Sequence, residues 1–351
     1  MAVASGLGIL GRAARLGLWP AILLSGCQTA GEDVEDAAEA PFQVALLTSG
    51  PVSDAGWYAG AYEGLLLIED SFGAHVSHQQ TRTPAEFDEA FFSYASAGYD
   101  LIFAHGFEYQ DAAIRAGAEF PETTIVVSAG GRVADNVFPL IFQLEEGSYL
   151  AGVVAGSLTE TGVVGMVGGV AIPPAEGTFD AFEAGAKSVR PDVQVLVSWI
   201  GSWNDVAAAK EAGVALLGRG VDILIHNTDA ASFGVFQAVR EARDAGRNVW
   251  AMGMNRDQND VAPELILGSA MIKIPEGFVE VTSRWLNGDL PRGAYYAGGG
   301  SGLVDYVVNP EQRTEYPTQL LTLLEEVRAG IRDGTVDIPR IQFVSDAEAN
   351  R

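Results

Sequence analysis

Cysteine is nearly absent. The 351 residues hold one, Cys27, so no disulfide can form within the chain and no cysteine-built zinc cluster either. Basic residues are scarce, 21 Lys and Arg against 46 Asp and Glu, for a formal net charge of −25. A surface that acidic repels phosphate backbones and anionic lipid, which argues against nucleic acid as a partner; the acidity serves solubility. Phosphate-binding loops are missing too: there is no Gly-x-x-x-x-Gly-Lys-Ser/Thr, and no Gly-x-Gly-x-x-Gly follows the first apolar run. Nucleotide hydrolysis and dinucleotide chemistry are disfavoured, and no cofactor is expected. The nucleophile-elbow spacing Gly-x-Ser-x-Gly is also absent. What the chain has is apolar mass, 48% hydrophobic residues, enough to order one large or two medium domains.

The lone cysteine stands where chemistry can use it. Arg12 and Arg15 precede an apolar stretch over 16–24, followed by Leu24-Ser25-Gly26-Cys27. A basic flank, a short greasy core and small residues before a cleavage point describe an export signal over 1–26. Leu-Ser-Gly-Cys resembles the bacterial lipobox, in which the cysteine is lipidated and becomes the mature N-terminus. Residues 27–41 carry Glu32, Asp33, Glu35, Asp36 and Glu39 among small residues, and read as an extended acidic tether. No other run approaches the ~20 apolar residues of a membrane-spanning helix, so the chain is not read as a pore or permease.

From Phe42 the pattern turns regular. Short apolar runs near 42–49, 75–81, 100–106, 123–128 and 137–143 alternate with helical patterns, the first carrying Trp57, Ala61, Leu65, Ile68 and Phe72 at spacings of three and four. The alternation restarts with a helix near 147–159, then strands near 162–167, 193–200, 221–227 and 248–254 with helices between them. Strands and helices in this order imply parallel βαβ units with helices on both sheet faces. The fold class expected is therefore α/β, two doubly wound parallel-sheet lobes joined by hinge crossovers. The first lobe is assigned 42–145 plus about 255–290, taking in a strand at 265–273 and a helix at 276–287. The second is assigned 146–254 plus about 291–351.

Ligands of such sheets meet the loops at the carboxyl ends of strands. Trp57 and Tyr58 follow Asp54 there, Phe107 follows His105 and Gly106, and Trp203 follows Gly201. Two aromatic faces meeting across a cleft suit a planar ligand with polar edges. Asp54, Asp229, Asn255 and Asp257 supply polar groups, and Lys273 ends an apolar strand where a buried ammonium needs a partner. His105 and His226 each end a strand and fit either a cleft position or a hydrogen-bonded strand edge. His75 and His78, three apart in a strand, lie on opposite faces, so no metal site is expected.

These motifs resemble the basic membrane protein family, solute-binding lipoproteins that serve ABC importers of purine nucleosides. Asp54-Ala-Gly-Trp-Tyr-Ala-Gly-Ala-Tyr-Glu-Gly64 is similar to the family's Asp-x-x-Phe-Asn-x-x-x-x-x-Gly. Gly201-Ser-Trp-Asn-Asp205 is similar to Gly-Ser-Phe-Asn-Asp, and Gly253-Met-Asn-Arg-Asp-Gln258 to Gly-Val-Asp-x-Asp-Gln. Glu145-Glu-Gly-Ser-Tyr-Leu-Ala-Gly152, the run 162–169 and Phe179-x-x-Phe-x-Ala-Gly185 complete the match in order and spacing. The resemblance implies a periplasmic-binding-protein type I-like fold that stacks a base between aromatics and holds ribose hydroxyls with Asp and Lys. It places Trp57 and Trp203 on the stacking positions, Asp54 on the first-loop aspartate and Lys273 on the lysine.

Departures weaken the nucleoside expectation. Asn255 stands where the family has a sugar-binding Asp, Tyr58 where it has Asn, and Ser128 where many members have a base-reading Asp. Serine or asparagine offers donor or acceptor where a carboxylate only accepts, so a planar, aromatic, neutral ligand is expected, a purine nucleoside or related nucleobase or ring compound, with a flavin or other heterocycle as the alternative. The reading is a monomeric, lipid-anchored receptor on the periplasmic face of a bacterial membrane. Its expected site is Asp54, Trp57, Tyr58, His105, Phe107, Ser128, Trp203, Asp229, Asn255 and Lys273, and its partners are a small molecule and the permease and ATPase subunits of an importer. A sensor for a receptor kinase, or a nucleosidase-like enzyme in the same cleft, are the alternatives; no catalytic residue is expected.

Overall fold

The computed structural model describes residues 41–342 and 344; the expected signal, Cys27 and all but the last residue of the tether lie outside the described residues. The chain opens with β1 (Gln43–Thr48), α1 (Trp57–Phe72), β2 (His75–Gln80), α2 (Pro84–Ser96), β3 (Leu101–His105) and α3 (Gln110–Glu119). Two strands in succession, β4 (Thr124–Ser128) and β5 (Val137–Phe142), finish this block. The grammar then repeats with α4 (Glu145–Leu158), β6 (Val163–Gly168), α5 (Pro173–Val189), β7 (Gln194–Trp199) and α6 (Val206–Gly218). It continues through β8 (Ile223–Asn227), α7 (Ser232–Asp244), β9 (Trp250–Asn255) and β10 (Ile266–Ile272). The last elements are α8 (Ile274–Leu286), β11 (Tyr295–Ala297), β12 (Val304–Val308) and α9 (Thr318–Arg332).

Two six-stranded sheets result, in the orders β11-β5-β4-β3-β1-β2 and β12-β10-β9-β8-β6-β7. Counted within each lobe the orders are the same, so the two halves are one topology used twice. All pairs are parallel except β10 with β12. Central strands β1, β3 and β8 are buried along nearly their whole length and apolar on both faces, as sheets covered by helices on both sides demand. In each sheet the strand order reverses between the first and third strands, which opens a crevice at their carboxyl ends.

One lobe assignment is corrected. The strand expected to return with its helix to the first lobe, β10, belongs to the second sheet, pairing in parallel with β9. Only α8 returns. It docks beside α1, with Phe278 stacked on Phe103 at 4.2 Å and Trp285 donating from Nε1 to Thr124 Oγ1 at 3.0 Å. The chain thus changes lobe at Lys273, just before Pro275 in the first turn of α8. β11 stays in the first sheet and β12 returns to the second, so the stretch from residue 291 is also divided between lobes.

The chain passes between lobes at 143–145, 272–274 and 297–304, and these passages are tied together. Gln143 N–H donates to Ala297 O and Lys273 N–H to Leu303 O, both at 2.8 Å. Glu146, also paired with Arg340 at 2.6 Å, accepts from Gly299 N–H at 2.8 Å. Gly299, Gly300 and Gly302 all take positive φ, which makes 298–302 a segment able to absorb rotation.

Candidate ligand-binding site

The two crevices face each other and form one cleft, with about 710 Å³ of space between atoms, its mouth included. From the first lobe come Trp57 and Tyr58 at the start of α1, Phe107 and Glu108 after β3, and Ala129 after β4. From the second come Ile172 and Pro174 after β6, Trp203 after β7, Asn227 and Asp229 at and after β8, and Asn255 ending β9. Glu145 enters from the first turn of α4, at a passage between lobes. Three non-glycine residues with left-handed backbone, Ala55, Ala129 and Asn255, sit at or beside this cleft, where strain is retained when the surroundings hold it. Asn255 has φ 69°, a conformation asparagine tolerates better than most residues, so the residue suits the backbone there.

Six of the ten expected site residues line the cleft: Trp57, Tyr58, Phe107, Trp203, Asp229 and Asn255. The other four do not, and each has a physical reason. Asp54 is fully buried and holds the start of α1: Oδ1 accepts from Gly56 and Ala59 N–H at 3.1 and 2.8 Å, and Oδ2 from Tyr58 N–H at 2.9 Å. Burial raises its pKa while those amides pull it down. It positions Trp57 and Tyr58.

His105 lies behind Trp57, its ring stacked on the indole at 3.8 Å and 26°. Its Nε2–H donates to Trp57 O at 3.1 Å, and burial lowers its pKa to about 3, so the ring is neutral. Ser128, the cross-strand neighbour of His105, is fully buried; Ala129 takes the cleft position beside it. Lys273 is exposed and lines a separate depression with Glu146, Asp305 and Arg328. Strand alternation explains it: Ile272 faces the cleft, so its neighbour points the other way. The expected buried ammonium is not there.

Trp203 rests on the bare backbone of Gly169, where an added Cβ would lie 2.2 Å from the indole. Its carbonyl accepts from Ala231 N–H at 3.0 Å, which fixes the loop after β7 against the start of α7. Across the cleft, the Tyr58 hydroxyl meets Ser49 Oγ at 2.8 Å in its own lobe and faces Asp229 of the second. Ser49 in turn donates to Glu108. Burial pushes Asp229 well above the usual carboxylate range, helped by the charges of Asp54 and Glu108, and raises Glu108 as well. Burial also raises Glu145, to about 7.

Glu108, Glu145 and Asn227 were missed in the sequence. Glu108 directly follows Phe107, so the strand-end rule that found its neighbour could have found it. Asn227 donates to Thr178 Oγ1 at 3.0 Å and ties β8 to α5. His226, beside it, is fully buried and supports Gln258: its Nδ1 accepts from Thr228 N–H at 3.3 Å and its Nε2–H donates to Gln258 Oε1 at 2.8 Å. Gln258 then reaches over to the first lobe, donating to Ala55 O at 3.3 Å. Among the described residues no group of His, Cys, Asp or Glu is arranged to hold a metal ion.

The cleft has the form of a solute trap, and known proteins share it. The profile of the family described as Bmp, ABC transporter substrate-binding protein PnrA-like, matches residues 42–314. A purine-binding protein of Brucella abortus is 28% identical over 303 residues, 86% of this chain and 83% of that one. Basic membrane protein A2 of Borrelia garinii is 25% identical over 85% of this chain and 88% of its own. In three dimensions, an ABC transporter solute-binding protein from Aeropyrum pernix superposes with a TM-score of 0.77 at 21% identity, over 85% of this chain and 93% of that one. The chain belongs to the Bmp family of PnrA-like substrate-binding proteins, the extracytoplasmic components of ABC transporters that bind a small solute for a permease partner.

Proposed function

We propose that the protein captures a planar heteroaromatic solute of the purine nucleoside or nucleobase class and presents it to an ABC permease. The observation that carries this is that Trp57 and Trp203, one from each lobe, line the same cleft, together with aliphatic side chains and a few amides and carboxyls. An indole from either side gives a flat ring large apolar faces, while Asn227, Asn255, Glu108 and Asp229 offer hydrogen-bonding partners to its rim. Similarity to a protein named purine-binding supports the choice of ring. Trp57 is backed by His105, so its free face is the one the cleft receives. Lipid attachment through Cys27 would keep the receptor beside its permease.

The test is native mass spectrometry of the purified protein, followed by calorimetry with adenosine, guanosine, inosine and riboflavin. Binding of a purine nucleoside or nucleobase at one per chain, with the nucleoside recovered intact, supports a carrier. Release of free base would make the protein an enzyme, and saturation by riboflavin alone would move the ligand to the flavins. For the anchor, Cys27→Ala is expected to shift the protein from the membrane fraction to the soluble one.

A further inference from the structure

Three carboxyl groups line the cleft, Glu108, Glu145 and Asp229, and among the described residues no lysine, arginine or histidine does. With Asn255 and Ser128 in place of carboxylates, the sequence pointed to a neutral ring. The fold restores acidity from two other positions, Glu108 and Glu145.

Glu145 is the sharper of the two. It is 6% exposed, and its carboxyl is met by its own backbone N–H. The charges facing it are Glu146 on its own helix and Arg340 on the C-terminal segment, and Arg340 is already paired with Glu146 at 2.6 Å. From α5 it meets backbone, where a Cβ added to Gly177 would lie 2.9 Å from its Oε1. A carboxylate so placed, in a cleft walled by indoles, is costly unless a cation or a proton joins it.

Across the cleft, Glu108, Ser49 and Tyr58 are joined by two hydrogen bonds, and Asp229 faces the Tyr58 hydroxyl. Asp54 adds a further negative charge behind Asp229. The site thus binds protons where a positively charged guest would serve equally, and indole faces attract cations through their quadrupole.

We propose that the cleft selects a planar heteroaromatic ring bearing a positive charge, stacked between Trp57 and Trp203 and paired with the carboxyls of Glu145, Glu108 and Asp229. The proposal rests on the reading of the cleft as a site for a planar ring and adds the sign of that ring's charge. Because burial raises Glu145 to about 7, binding such a ring near neutral pH releases protons from the cleft.

The experiment is calorimetry on the full chain with matched neutral and cationic rings, adenosine against 1-methyladenosine and nicotinamide against 1-methylnicotinamide, with choline as a non-planar cation. Each titration is run in two buffers of different ionisation heat, which counts protons released. The cationic member of a pair should bind roughly tenfold tighter or better, as expected for a desolvated charge pair, with net proton release. Glu145→Gln should weaken the cation about tenfold and so shrink its advantage over the neutral ring, since a charge and not a shape is removed. Tighter binding of the neutral ring in both pairs overturns the proposal while leaving a planar-ring receptor standing. Binding of choline alone, or of none of these compounds, overturns both.

Discussion

An indole in this cleft has one face to give, because His105 already covers the other face of Trp57. Trp57→Ala and Trp203→Ala should each weaken ligand binding by ~1–3 kcal/mol, the range for losing a stacked ring. Unchanged affinity in both, measured by calorimetry, would end the stacking assignment. Glu145 makes a second prediction at this scale. Its carboxyl, at about 7 in the folded protein, lies above the ordinary value of 4.5, so the folded state holds the proton more tightly than the unfolded one. Below pH 4.5 the group costs nothing; as pH rises toward 7 the penalty grows, reaching roughly 3 kcal/mol above it. Glu145→Gln should therefore melt higher than the parent at pH 8 and at the same temperature at pH 4.5; equal shifts at both would show packing alone is at work. Neither Glu145 nor the true place of Lys273 was legible in the sequence. An acid in a helix's first turn reads as a partner of the helix dipole, and strand-end position does not say which side a residue faces. The aromatics were legible because in a doubly wound sheet the loops after the strands are where ligands sit.

Elements were easier to read than their lobes. Apolar periodicity located the elements because the central strands are covered on both faces and read as short, nearly continuous apolar runs. Which sheet a strand joins is decided by pairing, which no local pattern carries. β10 joined the second sheet through its ladder with β9, whereas α8 left for the first lobe through Phe278 and Trp285. Helix packing carries its own prediction. Helices α4 and α5 cross with glycine on both sides: a Cβ on Gly185 would lie 2.1 Å from Tyr149 O, and one on Gly152 2.1 Å from Phe182 O. Those obstacles are backbone and cannot swing aside, so Gly185→Ala should cost about 1–3 kcal/mol or more. Gly218, the last residue of α6, has open space around it, and Gly218→Ala should be neutral or stabilising by up to about 1 kcal/mol. Thermal unfolding of the two variants tests this directly; a harmless Gly185→Ala would mean the helices separate more easily than their contact implies.

At the scale of the molecule, side-chain contacts join the two lobes. Arg256 pairs with Glu63 of α1 at 2.7 Å, Gln258 donates to Ala55 O at 3.3 Å, and Tyr58 meets Asp229. Arg256 and Gln258 both follow β9 in the second lobe, whereas Glu63 and Ala55 belong to the first. The salt bridge is partly exposed and worth about 0.2–1 kcal/mol, and the amide hydrogen bond about 0.5–1.5 kcal/mol. Together they bias the open–closed equilibrium by roughly 1–2 kcal/mol, about a tenfold change in the closed fraction. Since the ligand contacts both lobes, it gains its full set of partners only in the closed form. Removing the latches therefore taxes affinity by the fraction of closed protein lost. The double variant Arg256→Ala, Gln258→Ala should show a larger radius of gyration than the parent in ligand-free scattering. It should bind up to about tenfold more weakly and return to the parent's compactness when saturated. A ligand-free radius and an affinity both equal to the parent's would show that closure depends on the Tyr58–Asp229 contact and the passages between lobes, with no share carried by the loop after β9.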